Sequence, residues 1–259
     1  FQALHFFGTV AGPVTIAGGT YTQSNAGVTA IYFRDAVTAA VSISDATATS
    51  GHNALVFGDL QAPLTLTNVV ATSSTAGNGL WSVAISSAAT TVSVTGGTYT
   101  GFQRGIGFAG ALDAATTVTL TRVTAVSTGT GFEAMRFGGT VAGPVTITGG
   151  TFTQPGAACS AIWLQGAVTS AVTISDATAT SGGTAILFTD LRAPVALNNV
   201  VATASLAYNG LGEHASCAAL CAAAIERGGE RADLVELLAT STAAAEGSGQ
   251  LPAEWIERE

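Results

Sequence analysis

The chain has 259 residues, a formal net charge of −8, charged residues at only 9% of positions, and no lysine. Nucleic acid and anionic membrane surfaces both call for clustered positive charge, so neither is an expected partner. Gly, Thr and Ser interrupt every apolar run well short of the roughly 18 residues of a spanning helix, so no membrane insertion is expected.

The chain opens at Phe1 with residues that already belong to a repeat, as an excised fragment or a mature protein would. The segment GTVAGPVTIAGGTYTQ (Gly8 to Gln23) returns as GTVAGPVTITGGTFTQ (Gly139 to Gln154), and VSISDATATSG (Val41 to Gly51) returns as VTISDATATSG (Val172 to Gly182), both 131 residues on. This long repeat divides into shorter units beginning near residues 3, 30, 54, 80 and 106, with the next copy at 134, 161 and 185. Units of this size match one turn of a three-sided parallel β-helix. The predicted fold is therefore all-β, a right-handed parallel β-solenoid of about eight coils over residues 1–210.

Aligned, the units give columns with physical meaning. One strand per unit alternates apolar and polar residues, as in Val14-Thr15-Ile16, Val41-Ser42-Ile43 and Leu64-Thr65-Leu66, which turns the apolar pair inward. Two residues later come Gly18, Asp45, Asn68, Gly96, Arg122, Gly149, Asp176 and Asn199. Gly, Asn and Asp tolerate a left-handed backbone, so this column predicts a tight corner, with Arg122 as its misfit. Past the corner, Gly19 precedes Tyr21 and Gly97 precedes Tyr99, whereas Val69 precedes Ala71, a trade of small against large that keeps interior volume constant. A further strand carries Leu4/Phe6, Ile31/Phe33, Leu55/Phe57, Ile106/Phe108 and Met135/Phe137, which predicts an internal Phe-rich stack. Leu80 to Ile85 fits this column poorly and yields no inward assignment.

The coil pattern, as in GTAILFTDLRAPVALNNVVATAS, resembles the β-strand repeats of giant bacterial surface proteins and, more broadly, the pectate-lyase-like β-helix. The resemblance covers residues 1–210. It implies architecture rather than activity, because lyases, hydrolases, adhesins and passive stalks all use this fold.

After residue 210 the pattern stops. Residues 211–259 are expected to form an α-helical cap or tail, with Ser216 as N-cap, an apolar stripe at Cys217, Leu220, Cys221, Ala224 and Ile225, and Gly228 as C-cap. The open end of a solenoid calls for such a cover. Cys159, Cys217 and Cys221 make no disulfide framework, and with only His214 nearby they define no metal site.

Catalytic signals are thin. Asp35 and Asp59 fall in the same column of consecutive coils, roughly 5 Å apart, near the spacing of a retaining glycosidase pair. That column, however, runs Gly8, Asp35, Asp59, Gly139, Gly166 and Asp190, which is turn chemistry. Neither a cofactor nor a metal is expected. Outward on the Phe-bearing strands lie His5, Tyr32, Val56, Gly107, Arg136, Trp163 and Leu187, with Trp81 as a further candidate; such aromatics suit sugar rings.

The strand after the corner has an outer face of a different kind. One column reads Thr20, Thr47, Val70, Thr98, Thr124, Thr151, Thr178 and Val201, and the other Thr22, Thr49, Thr72, Thr100, Val126, Thr153, Thr180 and Thr203. This Thr-x-Thr ladder is similar to the Thr arrays of β-solenoid antifreeze proteins, and β-propensity offers a competing cause. The sequence thus points to a non-catalytic structural or adhesive module of a secreted or cell-surface bacterial protein, monomeric or part of a longer chain, with surface glycans as partners. The alternative is ice binding through the ladder, and the third reading is a polysaccharide lyase or hydrolase.

Overall fold

The computed structural model describes residues 2–86, 90–157 and 159–204. The chain divides into two units, Phe1–Thr203 and Ala204–Glu259. The expected helix over 211–259, with Ser216, Cys217, Cys221, Gly228 and His214, lies outside the described residues.

The first unit is a parallel β-solenoid of eight coils, each contributing one strand to each of three sheets. In the first coil these strands are Leu4–Phe6 in sheet A, Val14–Ala17 in sheet B and Thr20–Gln23 in sheet C; in the last they are Ile186–Leu191, Val195–Asn198 and Val201–Ala204. Within every sheet the eight strands stack in coil order. Outside two bulges in sheet A, paired strand residues are repeat equivalents, so Val14 faces Val41, Val41 faces Leu64, and Val118 faces Val145. Alternation and register together put Val41, Ile43, Leu64, Leu66, Val92, Val94, Val118 and Leu120 in the core, all but excluded from solvent. Burial falls off in the first and last coils, where Phe6, Tyr21, Leu197 and Val200 are half-buried.

The corner between sheets B and C is as the residue types require. All eight corner residues have positive φ, from 50° at Asn199 to 71° at Gly18. Arg122 is no exception, at 53°. Neighbouring corner side chains also join: Asn68 Nδ2 donates to Asp45 Oδ1 at 3.2 Å, and Asn199 Nδ2 to Asp176 Oδ1 at 2.8 Å. Where the corner is a Gly-Gly pair, the second glycine is left-handed as well, and a Cβ at Gly97 would lie 2.3 Å from Val69 O. Close backbone approach therefore demands glycine here, beyond the volume trade with Tyr99.

The aromatic stack is real but interrupted. Phe6, Phe33 and Phe57 stack with centroids 4.3 and 4.9 Å apart, and Phe108 stacks on Phe137 at 5.0 Å. Between the two runs the inward position belongs to Ser82, paired in register with Phe57 and Phe108. Its hydroxyl is spent on Ala84 O at 3.0 Å. The same coil carries Tyr99 inward and fully buried, so its bulky ring lies in sheet C instead of sheet A.

The bend from sheet C into sheet A is lined by polar groups that face inward. Ser50, Ser73, Ser127, Gln154 and Ser181 are buried and bind loop carbonyls: Ser127 Oγ donates to Gln103 O at 2.5 Å, Ser181 Oγ to Cys159 O at 2.6 Å, and Gln154 Nε2 to Gly129 O at 3.2 Å. Beside them Asn53 Oδ1 accepts from both the backbone N–H and the side-chain amide of Asn78, at 2.8 and 2.9 Å. Irregular loops bring unpaired backbone carbonyls into the interior, and these side chains satisfy them.

Candidate functional site

Sheet C places the Thr ladder in strict register. Thr20, Thr47, Val70, Thr98, Thr124, Thr151 and Thr178 form one line, and Thr22, Thr49, Thr72, Thr100, Val126, Thr153 and Thr180 the next. Thr203 continues the second line in the last coil, where Val201 takes the first. The inward neighbours Ala48, Ala71, Tyr99, Ala125, Phe152 and Ala179 are fully buried, so period-2 alternation turns every ladder side chain to solvent. Of its three valines, Val70 at 39% and Val201 at 57% are exposed, and Val126 is half-buried. Among the described residues no ladder hydroxyl is committed to a bond within the protein; contrast Thr38, Thr75, Thr128 and Thr169, whose hydroxyls bond loop carbonyls.

Sheet B bears a second hydroxyl-rich face: Thr15, Ser42, Thr65, Ser93, Thr119, Thr146, Thr173 and Ala196, flanked by Ala17, Ser44, Thr67, Thr95, Thr121, Thr148, Ser175 and Asn198. It mixes Thr with Ser, Ala and Asn, whereas sheet C admits only Thr and Val.

Sheet A brings one residue per coil of the face opposite the core into a single column: His5, Tyr32, Val56, Trp81, Gly107, Arg136, Trp163, Leu187, of which Val56 and Gly107 are nonetheless buried. Trp81 belongs to it in full. Three coil steps, roughly 14 Å, separate Trp81 from Trp163. Around them gather two arginines. Arg104 Nε donates to Glu133 Oε2 at 2.8 Å, both side chains nearly buried, with the guanidinium 5.6 Å from the Trp81 ring centroid and 5.3 Å from that of Phe132. The Arg136 guanidinium stands 5.3 Å from the Trp163 centroid and donates through Nη2 to Gln165 Oε1. Burial and the neighbouring Arg104 push the Arg136 guanidinium below its ordinary range, with Glu133 opposing them. Repeat spacing did not reveal Arg104, Glu133 and Phe132, because they sit on the bend before sheet A and not on a strand.

The Asp35–Asp59 pairing needs correction. The register slips between Phe33 and Ala36, so Asp59 lies opposite Ala36 and Asp35 falls in a bulge. The same slip between Leu164 and Ala167 sets Asp190 opposite Ala167 and not Gly166. Both carboxylates bond across to a neighbouring coil: Asp35 Oδ2 accepts from Gly8 N at 2.9 Å, and Asp59 Oδ2 from Ser86 Oγ at 2.7 Å as well as from Gln61 Nε2 at 2.6 Å, while Asp59 Oδ1 is buried without a partner. Asp190 is held by Arg192 through two bonds, at 3.0 and 2.5 Å.

Comparison with known protein families, curated proteins and solved structures returned no match.

Proposed function

We propose that the chain is a non-catalytic scaffold and adhesive module of a secreted or cell-surface bacterial protein. The observation that carries this reading is the division of labour among positions. Inward and corner residues recur coil after coil to close a three-sheet register that slips only at two bulges of sheet A, while the outward column of sheet A changes identity at every step. A rod of eight coils extends about 38 Å at roughly 4.8 Å per coil, enough to hold a variable face away from its anchor. The experiment is incubation of the full chain with acidic and neutral polysaccharides, with and without calcium. The expected result is no new reducing ends and no unsaturated products; turnover abolished by Asp35→Asn or Asp59→Asn would replace this reading with an enzyme.

A second reading, ice binding, is favoured by the sheet C ladder. Along one strand Thr20 and Thr22 project to the same side roughly 6.6 Å apart, and coils repeat them at roughly 4.8 Å. β-Branched Thr is stiff at χ1, so uncommitted hydroxyls and methyls stand in a regular plane before any ligand arrives. Such a plane can order water without pocket, charge or cofactor. Inhibition of ice recrystallisation by the wild type, lost in Thr151→Tyr, is its test.

A further inference from the structure

The sheet A column has one stretch where the outward side chains make a continuous strip. Gly107 has no side chain, and a Cβ there would fall 2.4 Å from the Trp81 ring, so the indole lies over Gly107 beside Arg104. Arg136 comes next in register, then Trp163. The Trp163 indole is pinned by its own Nε1–H, which donates to Thr189 Oγ1 at 2.9 Å. Arg136 gives one bond to Gln165 through Nη2; its Nε is buried without an acceptor, so the donors it can turn to a ligand are those of its Nη groups. Glu133, the carboxylate whose field reaches it, is already engaged by Arg104. On a chain of net charge −8 this is a local cationic spot with unspent donors between two indoles. In the equivalent place of the earlier repeat, His5, Tyr32, Arg34 and Asp35 stand where Arg136, Trp163, Gln165 and Gly166 stand here; the later copy has no acid at 166, and its Glu133, in place of Gln2, is paired with Arg104.

We propose that this strip binds a carboxylate-bearing sugar, with Arg136 taking the carboxylate and the indoles of Trp81 and Trp163 taking ring faces. A planar guanidinium meets a carboxylate through paired N–H donors, and its bonds to an ionised acceptor are about twice as strong as neutral ones. Indole rings offer broad apolar faces to the C–H side of a sugar at little entropic cost. Arg104 is a positioning residue: committed to Glu133, it holds Trp81 and Phe132 in place and contributes no free donor through Nε. The inference rests on the adhesive part of the function proposed above and names its partner.

The test is titration calorimetry on the full chain with three probes: sialyllactose, a galacturonic acid oligosaccharide and neutral lactose. One acidic probe should bind saturably and quench tryptophan fluorescence, lactose should bind at least tenfold more weakly, and whichever acidic probe binds identifies the source. Arg136→Gln should lower the affinity at least about tenfold with an unchanged unfolding curve. Gly107→Ala, which lifts the Trp81 indole and leaves every charge in place, should weaken binding as well. Equal binding of lactose, no binding of either acidic probe, or indifference to Arg136→Gln would each overturn the proposal. Cleavage of a probe would instead refute the non-catalytic reading while leaving the binding strip standing, so the two failures are distinguishable.

Discussion

Removing one oxygen atom should make this protein more stable. Tyr99 is fully buried in the fourth coil, and its hydroxyl has no hydrogen-bond partner. An unsatisfied buried hydroxyl costs about 1–3 kcal/mol relative to its hydrated state. Phe152 occupies the same inward column two coils later without that hydroxyl, so a phenyl ring fits the site. Allowing for the small void left behind, Tyr99→Phe should stabilise by roughly 1–2 kcal/mol. Urea unfolding read by circular dichroism and by tryptophan fluorescence should show the midpoint rising on both signals, with an unchanged slope. A second readout follows from burial, which raises the Tyr99 pKa above its ordinary value. A folded-state pKa raised above the unfolded one gives stability that is full below pH of about 10 and is lost as pH climbs through the folded value. The advantage of Tyr99→Phe should therefore widen above pH of about 10. Tyr21→Phe, at a half-buried position of the first coil, should change stability by less than about 0.5 kcal/mol. If Tyr99→Phe instead destabilised by more than 1 kcal/mol, the hydroxyl would have to be satisfied by an internal water and the reasoning would fail.

Three further outcomes test the columns. Phe57→Ala should cost roughly 3–5 kcal/mol in denaturant unfolding, and Phe33→Ala about 0.5–1.5 kcal/mol more, because Phe33 stacks on two rings and Phe57 on one; a loss below 1 kcal/mol would remove Phe57 from the core. Arg122→Gly should stabilise by about 0.5–1 kcal/mol, the left-handed penalty of an L-residue less the added entropy of the glycine chain; a lower melting temperature would show that the arginine side chain earns its place by contacts. In ice recrystallisation, Thr151→Tyr on sheet C should abolish any inhibition and Thr146→Tyr on sheet B of the same coil should not; equal effects would rule out a face-specific contact.

Much of the fold was legible because each coil states the same rule several times. Apolar-polar alternation set the inward face, and Gly, Asn and Asp in one column announced the left-handed corner, so strongly that Arg122 adopts it against its own preference. Ser82 was not legible: a polar residue at an inward position looks like a broken column until Tyr99 is seen to supply the bulk in another sheet. The slip at Asp35 was hidden because Asp and Gly both serve turns, and an extra residue in a bulge changes no composition. Ser50, Ser127 and Gln154 read as surface residues by type, and only the loop carbonyls they satisfy explain their burial. The Thr ladder was fully visible in the sequence, and the register of sheet C adds that its two lines run unbroken from coil to coil.

The two repeat copies separate the faces of sheets B and C. Folding asks the same of the outer positions of sheets B and C: a solvent-facing residue that tolerates a strand. Across the offset of 131 residues, sheet C keeps every such position, pairing Thr20 with Thr151, Thr22 with Thr153, Thr47 with Thr178, Thr49 with Thr180, Val70 with Val201 and Thr72 with Thr203. Sheet B has drifted, from Ala17 to Thr148, Ser42 to Thr173, Thr65 to Ala196 and Thr67 to Asn198. Sheet A has changed throughout, from His5 to Arg136, Tyr32 to Trp163 and Val56 to Leu187. Strand propensity acts on sheets B and C alike and so does not account for the difference between them. A demand specific to sheet C, such as a flat regular contact, would hold Thr and even exposed Val in place while its neighbour drifts. The adhesive reading needs the opposite behaviour, a face free to change, and finds it on sheet A. The two readings therefore draw on different sheets of one rod, and a substitution confined to either sheet tests one without disturbing the other.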